Sequence, residues 1–130
     1  MRLHHLIPIL ALAAAPQAQA QPAAEAPRPA ARQCFFPRQL SSWSEVNDTT
    51  VTIRIGVERF YRLDLTSPCP ELRQTLSLGL EGHHGGSSIC SDDNFDLLVR
   101  DLSGEGTRRC NVRAMTAISR EDAAALNRRH

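Results

Sequence analysis

The chain has 130 residues, with 15 basic against 14 acidic side chains and a formal net charge of +1. A balance this close excludes the strongly basic surface on which a nucleic-acid or anionic-membrane partner depends. All the basic side chains other than histidine are arginine, so lysine Schiff-base and lysine general-base mechanisms are excluded as well.

Arg2, His4 and His5 precede the apolar run Leu6-Ile7-Pro8-Ile9-Leu10-Ala11-Leu12-Ala13-Ala14-Ala15, and Ala18-Gln19-Ala20 follows it. A basic start, a short apolar run and an A-x-A site read as a signal peptide over residues 1–20, cleaved after Ala20. The run is too short to span a bilayer. The first cysteine, Cys34, follows Ala31-Arg32-Gln33, the wrong setting for acylation. The expectation is a periplasmic or secreted protein with no membrane anchor after cleavage. Loss of Arg2 leaves basic and acidic side chains in balance, which again speaks against nucleic acid. Residues 21–33 are mostly alanine and proline. Burial cannot offset their ordering entropy, so they read as a disordered linker. Residues 34–130 then form one β-rich domain.

Phe35, Phe36, Leu40 and Trp43 concentrate bulky groups in a chain with four phenylalanines, one tyrosine and one tryptophan, and predict a lid over the core. Asn47-Asp48 marks a turn. From Thr49 to Ile55, Val51, Ile53 and Ile55 alternate with Thr52 and Arg54, the period of a strand. Gly56-Val57-Glu58-Arg59 turns the chain back. The next strand sets Tyr61, Leu63 and Leu65 on one face, so residues 49–65 read as a hairpin. Pro68 and Pro70 stop it and present Cys69 in a stiff direction that suits a disulfide.

A helical turn is expected at Glu71-Leu72-Arg73 behind Pro70, and then a third strand in which Leu76, Leu78 and Leu80 share a face. Glu81 to Ser88 is a glycine-rich loop that carries His83 and His84. Ile89-Cys90 reads as a short strand and Asp92-Asp93-Asn94 as a turn. Phe95 to Asp101 is a strand with Leu97 and Val99 on one face. Ser103-Gly104-Glu105-Gly106 leads into a last strand, Arg109 to Met115, with Cys110, Val112 and Ala114 on one face. Ser119 as N-cap, Glu121 and Asp122 behind it and Arg128-Arg129 at the end predict a helix over 120–128. The fold class is mainly β, a small α+β domain: an antiparallel sheet or partly closed barrel of about five or six strands with a short C-terminal helix.

Cys34, Cys69, Cys90 and Cys110 are an even set in an exported chain and read as two structural disulfides. Three pairings are possible. Cys69–Cys90 with Cys34–Cys110 is favoured, because it nests a local clamp inside a bridge from the start of the fold to its last strand. The cysteines stand singly, with no C-x-x-C pair, which disfavours a metal site or a redox couple among them.

His83-His84 between glycines is a candidate for a transition metal, with Asp92 or Asp93 as further ligands. A solvated loop is the favoured reading, since adjacent imidazoles diverge and spacing sets no third ligand. Asp92-Asp93-Asn94-Phe95-Asp96 places oxygens at alternate positions but lacks the central glycine and distal glutamate of a calcium loop. No glycine-framed elbow presents a serine or cysteine nucleophile. No catalytic residue and no cofactor are assigned, and the expectation is a non-enzymatic protein.

Cys34-Phe35, Tyr61-Arg62-Leu63 leading to Pro68-Cys69-Pro70-Glu71-Leu72, Ile89-Cys90-Ser91, Arg109-Cys110-Asn111-Val112 and Ser119-Arg120-Glu121-Asp122-Ala123 together resemble an uncharacterised family of small exported proteobacterial proteins, a domain of unknown function. The resemblance spans Cys34 to Leu126 and implies no activity, substrate or catalytic residue. The resulting expectation is a disulfide-stapled binding or structural module of the bacterial cell envelope, partnered by another envelope protein. The alternative is an envelope protein that binds metal weakly through the His83-His84 loop.

Overall fold

Val51, Ile53 and Ile55 are buried along strand β3 (Thr50–Ile55), and Tyr61, Leu63 and Leu65 along strand β4 (Arg59–Leu65). The strands pair antiparallel, with Ile53 opposite Tyr61 and Val51 opposite Leu63. The turn between them needs glycine at residue 56, where φ is 61°. This hairpin is the expected one. In the computed structural model, which describes residues 10–17, 31–84 and 88–129, it is the middle of a larger sheet. Strand β2 (Leu40–Asn47) flanks β3 on one side. Beyond β4 come β8 (Thr107–Ile118), β7 (Phe95–Arg100) and β5 (Gly79–Gly82), giving six antiparallel strands in the order β2-β3-β4-β8-β7-β5. The sheet curls into a half-barrel, as the mainly β expectation required.

A separate antiparallel ribbon joins β1 (Cys34–Phe35) to β6 (Ile89–Cys90). Phe35 and Ile89 from this ribbon enter the core with Leu72, which sits on a 3-10 turn over Pro70–Arg73. The Phe35 and Tyr61 rings lie 5.8 Å apart between centroids. Phe95, Leu97 and Val99 of β7 and Leu80 of β5 join the same buried set. Helix α1 (Arg120–Asn127) covers the other face of β2, β3 and β4. The Ser119 hydroxyl accepts from the Asp122 N–H at 3.0 Å, which satisfies one of the free donors at the helix start. Thr52 points away from the core yet is buried, because α1 covers it and its hydroxyl donates to Asn127 at 2.9 Å.

Four expectations are corrected. The disulfides are Cys34–Cys90 and Cys69–Cys110, crossed rather than nested as Cys69–Cys90 and Cys34–Cys110. Cys34 and Cys90 face each other in the β1–β6 ladder, with Cα atoms 4.0 Å apart. Because β8 pairs with β4, Cys110 comes to the end of β4, where Cys69 follows Leu65 after one short turn. Leu76 is 99% exposed and the strand starts only at Gly79. Thr75 is buried in its place, donating to the Ser77 carbonyl and accepting from the Arg100 N–H. On β8 the inward residues are Cys110, Val112 and then Met115, not Ala114. A bulge between Asp64↔Ala114 and Leu65↔Val112 leaves Arg113 as the extra residue and reverses the alternation. Residues 40–47, expected only to contribute Leu40 and Trp43 to a lid, form the edge strand β2, and Phe36 is exposed while Phe35 is buried.

The proposed cleavage site at Ala20, most of the linker 21–33, the loop residues Gly85, Gly86 and Ser87, and His130 lie outside the described residues. Among the described residues no helix is long and apolar enough to cross a membrane.

Candidate functional site

Since Phe95, Leu97 and Val99 take the core face of β7, Asp96 must point to the outer face. The register sets Glu81 of β5, Asp96 of β7 and Asn111 of β8 side by side across three strands. Asp96 is nonetheless only 8% exposed. His83, just past the end of β5, closes over it with Nε2 at 2.6 Å from Oδ2. The other carboxylate oxygen accepts from Asn111 Nδ2 at 3.1 Å. The same amide nitrogen donates to Asn94 at 2.7 Å, and the Asn111 oxygen accepts from the Thr66 hydroxyl at 2.7 Å. Four segments of the chain are thus joined through one line of polar groups, His83, Asp96, Asn111 and Thr66.

The chemistry of this line follows from which atoms carry hydrogen. An ionised carboxylate only accepts, so Nε2 of His83 holds the proton directed at Asp96. Its other ring nitrogen, Nδ1, is then the atom left to meet a ligand. Beside the line, Glu81 takes the Arg109 guanidinium at 2.7 Å. That hydrogen bond holds the Glu81 carboxyl below its ordinary value and raises Arg109, with the attraction of opposite charges adding to both.

Two clefts adjoin the line. One, of about 300 Å³, is lined by His83, His84, Ser88, Asp93 and Arg32 together with the Cys34–Cys90 bridge. The other, of about 290 Å³, lies among Thr66, Asn94, Asn111 and Arg113. The turn at Asp92 to Asn94 borders both. That turn is tied down at each acid. Asp93 accepts from the Cys90 N–H at 2.8 Å. Asp92 takes Arg32 at 2.8 Å, which depresses the Asp92 carboxyl and raises Arg32. A larger opening of about 340 Å³ lies at the other end of β7, between Ser77 and Thr107, and its one acidic lining residue is Glu105.

His83 and His84 therefore border one cleft, as their adjacency suggested, and Asp93 borders it too. Asp92 and Asp93 do not join the histidines in a ligand set, since Arg32 and the Cys90 backbone occupy them. Among the described residues, one group of three potential ligands has all its donor atoms within 4.8 Å of one another: Cys69, Glu71 and Cys110. Its cysteines form the second disulfide. Glu71 is 4% exposed and paired through Oε1 with Arg108. Its Oε2 is buried without a hydrogen-bond partner, an arrangement that costs about 1–3 kcal/mol.

Sequence reasoning singles out Asp92 and Asp93, includes Asp96 only as the end of a disfavoured calcium-loop pattern, and passes over Asn111, Thr66 and the Glu71–Arg108 pair. A signal for Asp96 was present. An acid between Phe95 and Leu97 in an alternating strand must sit on the face opposite the core. For Thr66 and Asn111 there was none, since their contact spans 45 residues of sequence.

Against known proteins, a family model matches residues 1–130, the whole chain, and describes a family of unknown function. No curated protein and no solved structure matches the chain.

Proposed function

Since the chain belongs to that family, DUF6491, and inherits no activity from it, we propose from its own geometry that it is an exported, non-enzymatic binding module of the bacterial cell envelope. Its recognition face is the outer surface of β5, β7 and β8, and its partner is another envelope protein. The observation that carries this reading is the His83–Asp96–Asn111–Thr66 line, a nearly buried acid held by His83 and Asn111, with Thr66 fixing Asn111 in turn, beside two open clefts. Polar groups fixed before contact lose little conformational freedom on binding, which favours specific recognition. The two disulfides suit the oxidising compartment that the N-terminal segment implies. Affinity capture from envelope extract, using the chain and three variants, tests the proposal. His83→Ala and Asp96→Asn should lose a partner that Arg120→Ala, altered on α1, retains. Equal capture by all three rejects the face.

One feature favours a second reading, a transition-metal site at His83. A histidine whose N–H is held by a carboxylate has the orientation and basicity typical of a metal ligand, and His83 is held in this way by Asp96, with His84 bordering the same cleft. Calorimetry with Zn²⁺ and Cu²⁺ should then give one binding event that His83→Ala removes. No heat with either metal rejects this reading and leaves the first standing.

A further inference from the structure

We propose that, when the Cys69–Cys110 bridge is reduced, Cys69, Cys110 and Glu71 form a buried Zn²⁺ site that takes over the bridge's role in tying the exit of β4 to β8. Three observations support it. The two sulfurs and a Glu71 carboxylate oxygen already lie within 4.8 Å of one another. Glu71 Oε2 is buried with no partner, although Oε1 is engaged by Arg108. The Cα atoms of Cys69 and Cys110 stand 6.1 Å apart. Two thiolates on a tetrahedral zinc, each at about 2.3 Å, have their sulfurs roughly 3.8 Å apart. Turning the two side chains is enough to open that gap while the strands stay in place.

Charge also fits. In the oxidised protein a neutral disulfide lies beside an ion pair of Glu71 and Arg108. With zinc bound, two thiolates cancel the dication and the ion pair is kept, so the site exchanges one neutral unit for another. The donor set of two sulfurs and one oxygen suits Zn²⁺, with water as the fourth ligand. The reaction balances with a dithiol reductant. The dithiol supplies two electrons and two protons and closes to its own disulfide, the Cys69–Cys110 S–S bond breaks into two thiols, and Zn²⁺ then displaces both thiol protons to solvent. In the folded protein Cys69 is fully buried and Cys110 is 5% exposed. The exchange therefore belongs to a chain that has not yet closed its bridges, or to one that opens locally.

Titration of Co²⁺ into the fully reduced chain without oxygen tests the site. One equivalent should develop thiolate-to-cobalt charge-transfer absorption and tetrahedral ligand-field bands, Zn²⁺ should displace it, and the oxidised chain should give neither signal. Cys34→Ser/Cys90→Ser should keep the spectrum and Cys69→Ser should abolish it. Glu71→Gln should weaken binding at least about tenfold, the loss typical of removing even an outer-shell partner. Should reduction unfold the chain, circular dichroism of the Cys34→Ser/Cys90→Ser variant serves as the second reading, since the metal should then restore its strand signal. The proposal is overturned if reduced protein gives no charge-transfer band. It is equally overturned if the band survives Cys69→Ser, if Glu71→Gln binds as tightly as the parent, or if metal leaves an unfolded reduced variant unfolded.

Discussion

Cys110 meets Cys69, 41 residues earlier in the chain, because β8 lies beside β4 and brings the cysteine to the end of the hairpin. Cys34 meets Cys90 inside the short β1–β6 ladder. Loops of 41 and 56 residues correspond on the chain-entropy model to about 4 kcal/mol of stabilisation each. Replacing Cys69 and Cys110 by serine, or Cys34 and Cys90 by serine, is therefore expected to cost up to about that amount, read as a shift in the denaturant midpoint. A non-reduced peptide map should show only the crossed pairing.

The bulge on β8 makes neighbouring residues unequal. Met115 is 8% exposed and Ala114 lies on the opposite face. Met115→Ala should cost about 2–3 kcal/mol, at the low end for emptying a core position, whereas Ala114→Ser should stay within about 0.5 kcal/mol, as a surface change does. Urea melts of both variants decide the point. The opposite ranking would mean that β8 keeps strict alternation past Val112.

That bulge also shows where reading the sequence stops. Alternation over Val51, Ile53 and Ile55 and over Tyr61, Leu63 and Leu65 was enough to place the central hairpin, and Ser119 to Asp122 enough to start the helix. Both are local signals. β2 escaped notice because Ser41, Ser42 and Ser44 dilute any apolar pattern, as an edge strand with one exposed side allows. Leu76 resembled part of a strand because leucine recurs at every second residue, but the Thr75 hydrogen bonds hold that segment as a loop. Disulfide partners and the Asp96–Asn111 contact depend on which strands become neighbours, and no spacing along the chain encodes that.

Glu71 and Arg108 should behave as a unit. Arg108→Met removes the cation paired with a buried acid and should cost about 3 kcal/mol, the lower end for breaking a buried pair, because the arginine side chain is itself 41% exposed. Glu71→Leu with Arg108→Met should recover most of that loss, since two apolar residues leave no buried charge. Thermodynamic double-mutant analysis measures the coupling. Additive effects would show the pair to be inert.

Asn111 holds Asp96 and Thr66 together. Asn111→Leu leaves the nearly buried Asp96 oxygen without its donor and should cost about 1–3 kcal/mol. The nuclear magnetic resonance signal of the His83 ring should shift with it, as Asp96 relaxes. An unchanged ring signal would mean that the two ends of the line are independent.

Stability should fall in acid. The folded-state values of Glu81 and Asp92 are depressed by Arg109 and Arg32. Each therefore contributes stability above its unfolded value and loses it as pH drops through the folded one. Both pairs are open to solvent, so the effect is modest and shrinks with added salt. Melting temperature followed from neutral pH down through the carboxylate range, in low and high salt, should show the fall and its screening. Arg109→Gln should remove the Glu81 share.

The face made by β5, β7 and β8 is the centre of the proposed function, and in-cell photocrosslinking tests it most directly. A photoreactive phenylalanine analogue is placed at His84, which borders the His83 cleft, or at Glu121 on α1 as the control, and the chain is irradiated in the envelope of its own host. That face predicts one discrete crosslinked partner from position 84, lost when Asp96→Asn is added, and none from position 121. Crosslinks from position 121 alone, or equal products from both positions, would contradict it.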